Sequence, residues 1–170
     1  MTRLKIVSNK IFFSVADFEM KLNFYRFKDY SLVFTNGCFD LLHLGHIDYL
    51  SKAADLGDVL IVGMNSDGSV QKLKGINRPI CDITSRAMVL ASLSFVTAVL
   101  VFDEETPLQL INFIKPDVLV KGKDYALEQI VGAETVVKHG GKVVTIDLVD
   151  GYSTSLIEKK ILKGVLHKDT

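Results

Sequence analysis

The sequence predicts an α/β fold: one domain built on a doubly wound parallel sheet of about five strands. Short apolar runs alternate about five times with segments whose apolar residues recur at helical spacing. That alternation favours parallel strands joined by right-handed helical crossovers. Glycines and polar residues cluster just after the apolar runs, at the predicted carboxyl ends of the strands, where open α/β sheets bind ligands. At 170 residues the chain is long enough to enclose one core.

Composition narrows the classes of function. Lys and Arg number 20, Asp and Glu number 20, and no long basic run is present. A nucleic-acid or membrane-surface partner held by bulk electrostatics is therefore not expected, whereas a small anionic substrate needs only a few placed cations. The two cysteines, Cys38 and Cys81, have no metal-type spacing and fit a reducing cytoplasm better than a disulfide framework. No signal-peptide pattern and no membrane-spanning apolar stretch is read, so a cytoplasmic protein is expected.

Residues 1–30 read as a lead-in ahead of a main domain over 31–165. Residues 1–13 show no clear pattern. Ser14 resembles a helix cap with Asp17 three residues on, and Val15, Phe18, Leu22 and Tyr25 then follow at helical spacing. They predict a short helix bracing the outside of the main fold. The first strand is expected at about 31–35. A helix over about 44–56 follows, with Ile47, Leu50 and Ala54 on its inner face and Gly57 as its stop. Residues 58–64 form the second strand, ending in Asn65-Ser66-Asp67, which suits either ligand contact or turn and cap chemistry. Residues 70–80 read as a basic loop, with Lys74 and Arg78 the cations expected to reach a phosphate.

A helix over 82–93 carries Arg86 in its first turn, against the helix dipole, so Arg86 needs a separate reason such as a phosphate contact. Residues 96–102 form strand three. Thr106-Pro107 opens a helix that Pro116 ends. Strand four, 117–120, leads into Lys121 and Asp124 on the ligand edge. A helix is expected over 127–139, with His139 compensating its dipole, and strand five over 142–147. The final helix begins at Ser153-Thr154-Ser155. A capping box of Ser155 and Glu158 would account for one hydroxyl there; three in succession suit a phosphate cradle.

The stretch from Thr35 to His46 organises the chain. A strand, a turn containing Gly37 and a helix start offer unpaired N–H groups and a positive dipole end to an anion. His43 and His46, three residues apart, fall on one side of the first helical turn. Gly37 and Gly45 permit close approach of backbone and ligand. The dipole lowers a histidine's proton affinity and bound phosphate raises it, and spacing alone leaves that balance open.

The motifs Thr35-Asn36-Gly37-Cys38-Phe39-Asp40, His43-Leu44-Gly45-His46, Asn65-Ser66-Asp67, Leu73-Lys74-Gly75, Arg78-Pro79, Lys121-Gly122-Lys123-Asp124-Tyr125 and Asp150-Gly151-Tyr152-Ser153-Thr154 resemble those of the cytidylyltransferase-like nucleotidyltransferases. The resemblance runs from residue 31 to about 161 and is nearest to the heptose 1-phosphate adenylyltransferases of the ADP-heptose pathway. Lys123 stands where that group has Gly, and Ser155 where Thr is common. The Arg-Thr pair of glycerol-3-phosphate cytidylyltransferases is missing before Gly151. Leu41 stands where the FAD-synthesising and phosphopantetheine branches place Pro.

The resemblance implies a Rossmann-like nucleotidyltransferase domain, here in stand-alone form, that transfers AMP from ATP to a sugar 1-phosphate. It implies catalytic roles for His43, His46, Lys74 and Arg86. Thr35, Asn36, Gly37, Phe39, Asp40, Gly45, Lys121, Asp124, Ser153 and Thr154 would line the nucleotide site, with Asp40 and Asp124 orienting either a lysine or ligand hydroxyls. Asn65, Asp67 and Arg78 would face the acceptor. Mg²⁺ would arrive with ATP, no structural metal is expected, and a homodimer is. The rival readings are CTP with glycerol 3-phosphate, a nucleotide-binding module without turnover, and a zinc site of Cys38, Asp40, His43 and His46. The zinc reading gives the glycines and the helix start no role.

Overall fold

The computed structural model describes residues 1–123 and 129–166. In chain order the elements are α1 (Arg3–Ser8), β1 (Ile11–Phe12), α2 (Val15–Phe27), β2 (Leu32–Gly37), α3 (Leu44–Ala54), β3 (Val59–Asn65), α4 (Asp67–Lys74), α5 (Ile83–Ser92), β4 (Ala98–Phe102), α6 (Leu108–Ile114), β5 (Val118–Gly122), α7 (Ala133–Lys138), β6 (Lys142–Ile146) and α8 (Thr154–Leu166). The six strands form one sheet in the order β1-β4-β3-β2-β5-β6, and every pairing is parallel.

Because β-strand side chains alternate between faces, a sheet covered on both sides needs apolar residues at every position. Val33, Leu60 and Val62 join one core cluster with Leu50 and Ala53 of α3 and Leu90 of α5. Phe34, Val59 and Ile61 join the other with Phe18 and Leu22 of α2 and Ile111 of α6. The doubly wound α/β fold is thus as expected, with six strands rather than five.

The sixth strand comes from the lead-in. Ile11 and Phe12 of β1 pair with Val99 and Leu100 of β4, and two residues are too few to leave a strand signature in sequence. Helix α2 begins at Ser14, whose hydroxyl accepts from Asp17 N–H, but it does not lie outside the fold. Its Phe18, Leu22 and Tyr25 are buried in the core, so residues 1–30 share the sheet and core of the main domain.

Two other expectations change. The basic loop begins only at Gly75, because α4 occupies Asp67–Lys74; Val70 is its one buried apolar side chain, beside a buried Ser69, too little for a helical stripe. The helix expected over 127–139 is only Ala133–Lys138, preceded by Gly132 at φ 86°; residues 124–128 lie outside those described. Among the described residues no helix is long and apolar enough to cross a membrane.

From β2 the chain winds one way to β3 and β4 and the other way to β5 and β6. The carboxyl ends of β2 and β5 therefore flank a topological switch point, the crevice where such sheets bind ligands.

Candidate active site

A cleft opens at this switch point. It comprises two adjoining cavities of about 620 Å³ and 410 Å³ that share Asn36, Phe39, His46, Lys74, Lys121 and Thr154. Gly37 also lines both cavities. His43, Gly45 and Ser153 line only the smaller. Asp40, Asn65 and Arg78 line only the larger. Residues separated by more than a hundred positions in sequence thus meet at one edge.

The histidine pair sits at the start of α3. His43 occupies the cap position, but its side chain makes no capping hydrogen bond. Instead its ring stacks on His46, centroids 3.9 Å apart and planes 24° apart, and the Phe39 ring lies 5.4 Å from His46. The Nδ1 atoms of both histidines are buried without a hydrogen-bond partner among the described residues. Burial lowers the proton affinity of both rings. Burial, then the adjacent His43, push His46 down to about 4. Desolvation, rather than the dipole weighed in the sequence, is the main cause, and both rings are neutral at pH 7.

Glycine makes this packing possible. A Cβ on Gly45 would lie 3.1 Å from His43 Nδ1 and 3.4 Å from Tyr152 Cβ. The His-x-Gly-His spacing therefore lets a histidine ring and the approach to α8 close over the helix start. Phe39 has φ 46°, a left-handed conformation costly for a bulky residue and characteristic of functional turns. Its ring would be 3.1 Å from a Cβ at Gly37.

Three of the expected site residues do not line the cleft. Thr35 is fully buried, its hydroxyl 2.7 Å from Tyr49 OH; it supports Tyr49, which lines the smaller cavity. Arg86 is 2% exposed. It donates to Cys81 O at 3.1 Å, Cys38 O at 2.6 Å and Asp67 Oδ1 at 2.6 Å. Its place against the helix dipole is thus explained by the two carbonyls and the half-buried carboxylate that hold its buried guanidinium. Asp67 Oδ2 also accepts from Ile83 N–H, so Asp67 anchors Arg86 and the start of α5. Asp124 lies outside the described residues.

The remaining charges divide into held and available groups. Asp40 accepts from Ile80 and Cys81 N–H at 2.7 and 3.1 Å and from Arg78 at 2.9 Å. Arg78 also pairs with Glu158 of α8, so Glu158 is not part of a capping box. Ser153 is the cap of α8, its hydroxyl accepting from Leu156 N–H. Asn65 donates to Ser69 Oγ, and Lys121 donates to Asn36 Oδ1. Lys74 ends α4 at the cleft, where it and Arg86 draw down the Cys38 thiol, although burial raises that thiol on balance.

Sequence reasoning missed Tyr49, Tyr152 and Glu158. Tyr49 reads as one more apolar position of α3, and the partners of the others lie eighty or more positions away.

Among the described residues no three His, Cys, Asp or Glu side chains gather to hold a metal. Asp40 turns to Arg78 and Asp67 to Arg86.

Known proteins agree with this geometry. A family model described as cytidylyltransferase-like matches residues 34–160. The bifunctional protein HldE of Syntrophotalea carbinolica is 55% identical over 132 residues, 78% of this chain and 27% of that protein. HldE of Campylobacter jejuni subsp. doylei is 53% identical over 156 residues, 88% of this chain and 33% of that protein. The chain thus spans about a third or less of these curated relatives. A lipopolysaccharide core biosynthesis protein from Thermoplasma volcanium superposes with TM-score 0.59 at 29% identity, covering 73% of this chain and 99% of that one. Pantoate-beta-alanine ligase from Francisella tularensis, at TM-score 0.57 and 18% identity over 87% of this chain and 75% of that one, shares the fold. With its histidine pair at the switch point and a family match across most of its length, the chain belongs to the cytidylyltransferase-like family of nucleotidyltransferases.

Proposed function

We propose that this chain transfers AMP from magnesium-bound ATP to heptose 1-phosphate, yielding ADP-heptose and pyrophosphate. The observation that carries this reading is the pair of neutral, stacked histidines at an uncapped helix start beside the cleft. The 53–55% identity to HldE over 132 and 156 residues supports the nucleotide and the sugar.

An oxygen of the sugar phosphate attacks the α-phosphorus. The new O–P bond forms as the bond to the bridging oxygen of the β-phosphate breaks, and pyrophosphate leaves with that electron pair. The nucleophile is already an anion, so no strong base is needed, and catalysis rests on positioning and charge stabilisation. A buried bare lone pair is tolerated better than a buried bare N–H. His43 accordingly carries its proton on Nε2 and donates it to a phosphate oxygen. His46 donates beside it as charge develops.

Ser153, Thr154 and the first N–H groups of α8 cradle the outer phosphates. Lys74 and Lys121 offset their charge, Asn36 and Phe39 frame the nucleotide, and Asn65 and Arg78 face the acceptor. Arg86 and Asp67 act by positioning Cys38, Cys81 and the start of α5.

Pyrophosphate release measured with ATP and with CTP, each against heptose 1-phosphate and glycerol 3-phosphate, tests the assignment. Release only with ATP and heptose 1-phosphate is expected. Release with CTP and glycerol 3-phosphate would overturn the substrates while keeping the chemistry. Nucleotide binding without release from any pair would replace the enzyme reading with a binding module.

A further inference from the structure

The two halves of the cleft differ in chemistry. The smaller half alone is walled by Tyr49, Leu148, Val149 and Tyr152, a largely apolar set that can cover a planar base. The larger half alone is lined by Asn65, Arg78, Glu105 and Thr106, whose side chains hydrogen-bond rather than stack. His46, Lys74, Lys121 and Thr154 belong to both halves and mark the junction between them. Among the described residues, the carboxylates of the larger half are Asp40 and Glu105. Asp40 is taken up by Arg78 and by the Ile80 and Cys81 amides. The Glu105 side chain enters no hydrogen bond or ion pair among the described residues. A free carboxylate in a cavity that also holds Lys74, Arg78 and Lys121 weakens the hold on a purely anionic ligand. It strengthens binding when the ligand brings O–H donors, because a carboxylate accepts from several at once.

The neighbouring chain is fixed without using that carboxylate. Ser66 N–H donates to Phe102 O at 2.9 Å, and the Ser69 hydroxyl donates to Glu104 O at 3.1 Å. Asn65 Nδ2 in turn donates to Ser69 Oγ at 2.9 Å. On the other side the buried Pro107 caps α6. The backbone on both sides of Glu105 is therefore set before a ligand arrives, which lowers the ordering cost of binding. Position supplies reach. Glu105 follows β4, which lies two strands from β2 in the sheet, about 10 Å at the usual strand spacing. An acceptor the size of glycerol phosphate, held by its phosphate at the junction, ends short of that edge. A sugar ring with its own side chain extends towards it.

We propose that Glu105 is a specificity-determining residue. Its carboxylate accepts hydroxyl groups of the acceptor sugar at the end remote from the sugar's phosphate, and so selects a polyhydroxylated sugar phosphate over a shorter one. This rests on the sugar-phosphate reading above and adds the group that reads the sugar.

Calorimetric titration of the full chain tests this without turnover. The parent and E105Q, each saturated with magnesium and α,β-methylene-ATP, are titrated with heptose 1-phosphate, glycerol 3-phosphate and inorganic phosphate. The substitution keeps the shape of an exposed side chain and removes its charge. The parent is expected to bind heptose 1-phosphate about tenfold or more tightly than glycerol 3-phosphate, and E105Q to lose about tenfold for the sugar. Glycerol 3-phosphate, inorganic phosphate and the nucleotide analogue should bind E105Q as tightly as the parent or more tightly, because a negative charge has gone. A parent without preference for heptose 1-phosphate would overturn the proposal. So would an E105Q variant that binds the sugar as the parent does, or one that weakens every ligand alike. A preference that E105Q abolishes, in a protein that releases no pyrophosphate, would uphold Glu105 as the sugar reader and overturn the transfer reaction instead.

Discussion

Helices α3 and α4 both start at the ligand edge of the sheet, and they start differently. Helix α4 is capped in the ordinary way: the Ser66 hydroxyl accepts from Ser69 N–H at 3.2 Å, and Asp67 supplies negative charge in the first turn. Such a start satisfies its own donors. Helix α3 begins with His43, whose side chain caps nothing, and it buries two ring nitrogens without partners. One start is built for stability. The other leaves hydrogen-bonding capacity unspent at the mouth of the cleft, in a form another molecule can use. Local rules of good folding are broken where the chemistry is expected, and they are kept one crossover away.

The contrast is sharpest at His46. Replacing it with Ala should lower turnover by about a hundredfold or more, while the urea midpoint stays level or rises because an unsatisfied buried group is removed. Turnover within a few-fold of the parent would dissolve the distinction between the two helix starts. Gly45→Ala should come next, with about a tenfold loss of turnover. Its Cβ must displace the His43 ring from 3.1 Å, although Ala is intrinsically the better helix former by about 1 kcal/mol. Retained activity together with an unmoved His43 ring resonance would show that the spacing glycine is not there to seat that ring.

Ser66→Ala should do the converse of His46→Ala. Stability should fall by about 1 kcal/mol, read as a lower urea midpoint, with turnover changed by no more than a few-fold. The last effect concerns protons. His46 binds its proton near 4 when folded against 6.5 ordinarily. Between those values the unfolded chain holds a proton that the folded chain lacks, so stability should decline as pH falls from 6.5 towards 4 and lose nothing further from this group below that. Ring-proton NMR titration should place the His46 midpoint well under 6.5. A midpoint at or above 6.5 would contradict the buried, neutral pair.

What could be read from sequence followed what is local. Strands β2 to β6 appear as apolar runs because both faces of the sheet are covered. The His-x-Gly-His start appears because its spacing and glycine are contiguous. Strand β1 stayed hidden, since its two residues pair with a strand far along the chain. Arg86 was singled out because it opposes a dipole. Its partners are Asp67 and the carbonyls of Cys38 and Cys81, and neither spacing nor periodicity encodes so distant a nest. Thr35 belongs to a motif facing the ligand edge, yet strand alternation turns it inward to Tyr49.

The ties around Asp40 bear on how the cleft moves. Its carboxylate takes two backbone N–H groups of the 75–82 connection and the Arg78 guanidinium, which continues to Glu158 on α8. A connecting segment without helix or strand is ordinarily the first part of a protein to exchange its amide protons with solvent. Here the amides of Ile80 and Cys81 should instead exchange slowly and in step with the first turns of α8. In hydrogen-exchange terms the connection and the last helix form one cooperative unit, and they open together or stay shut together.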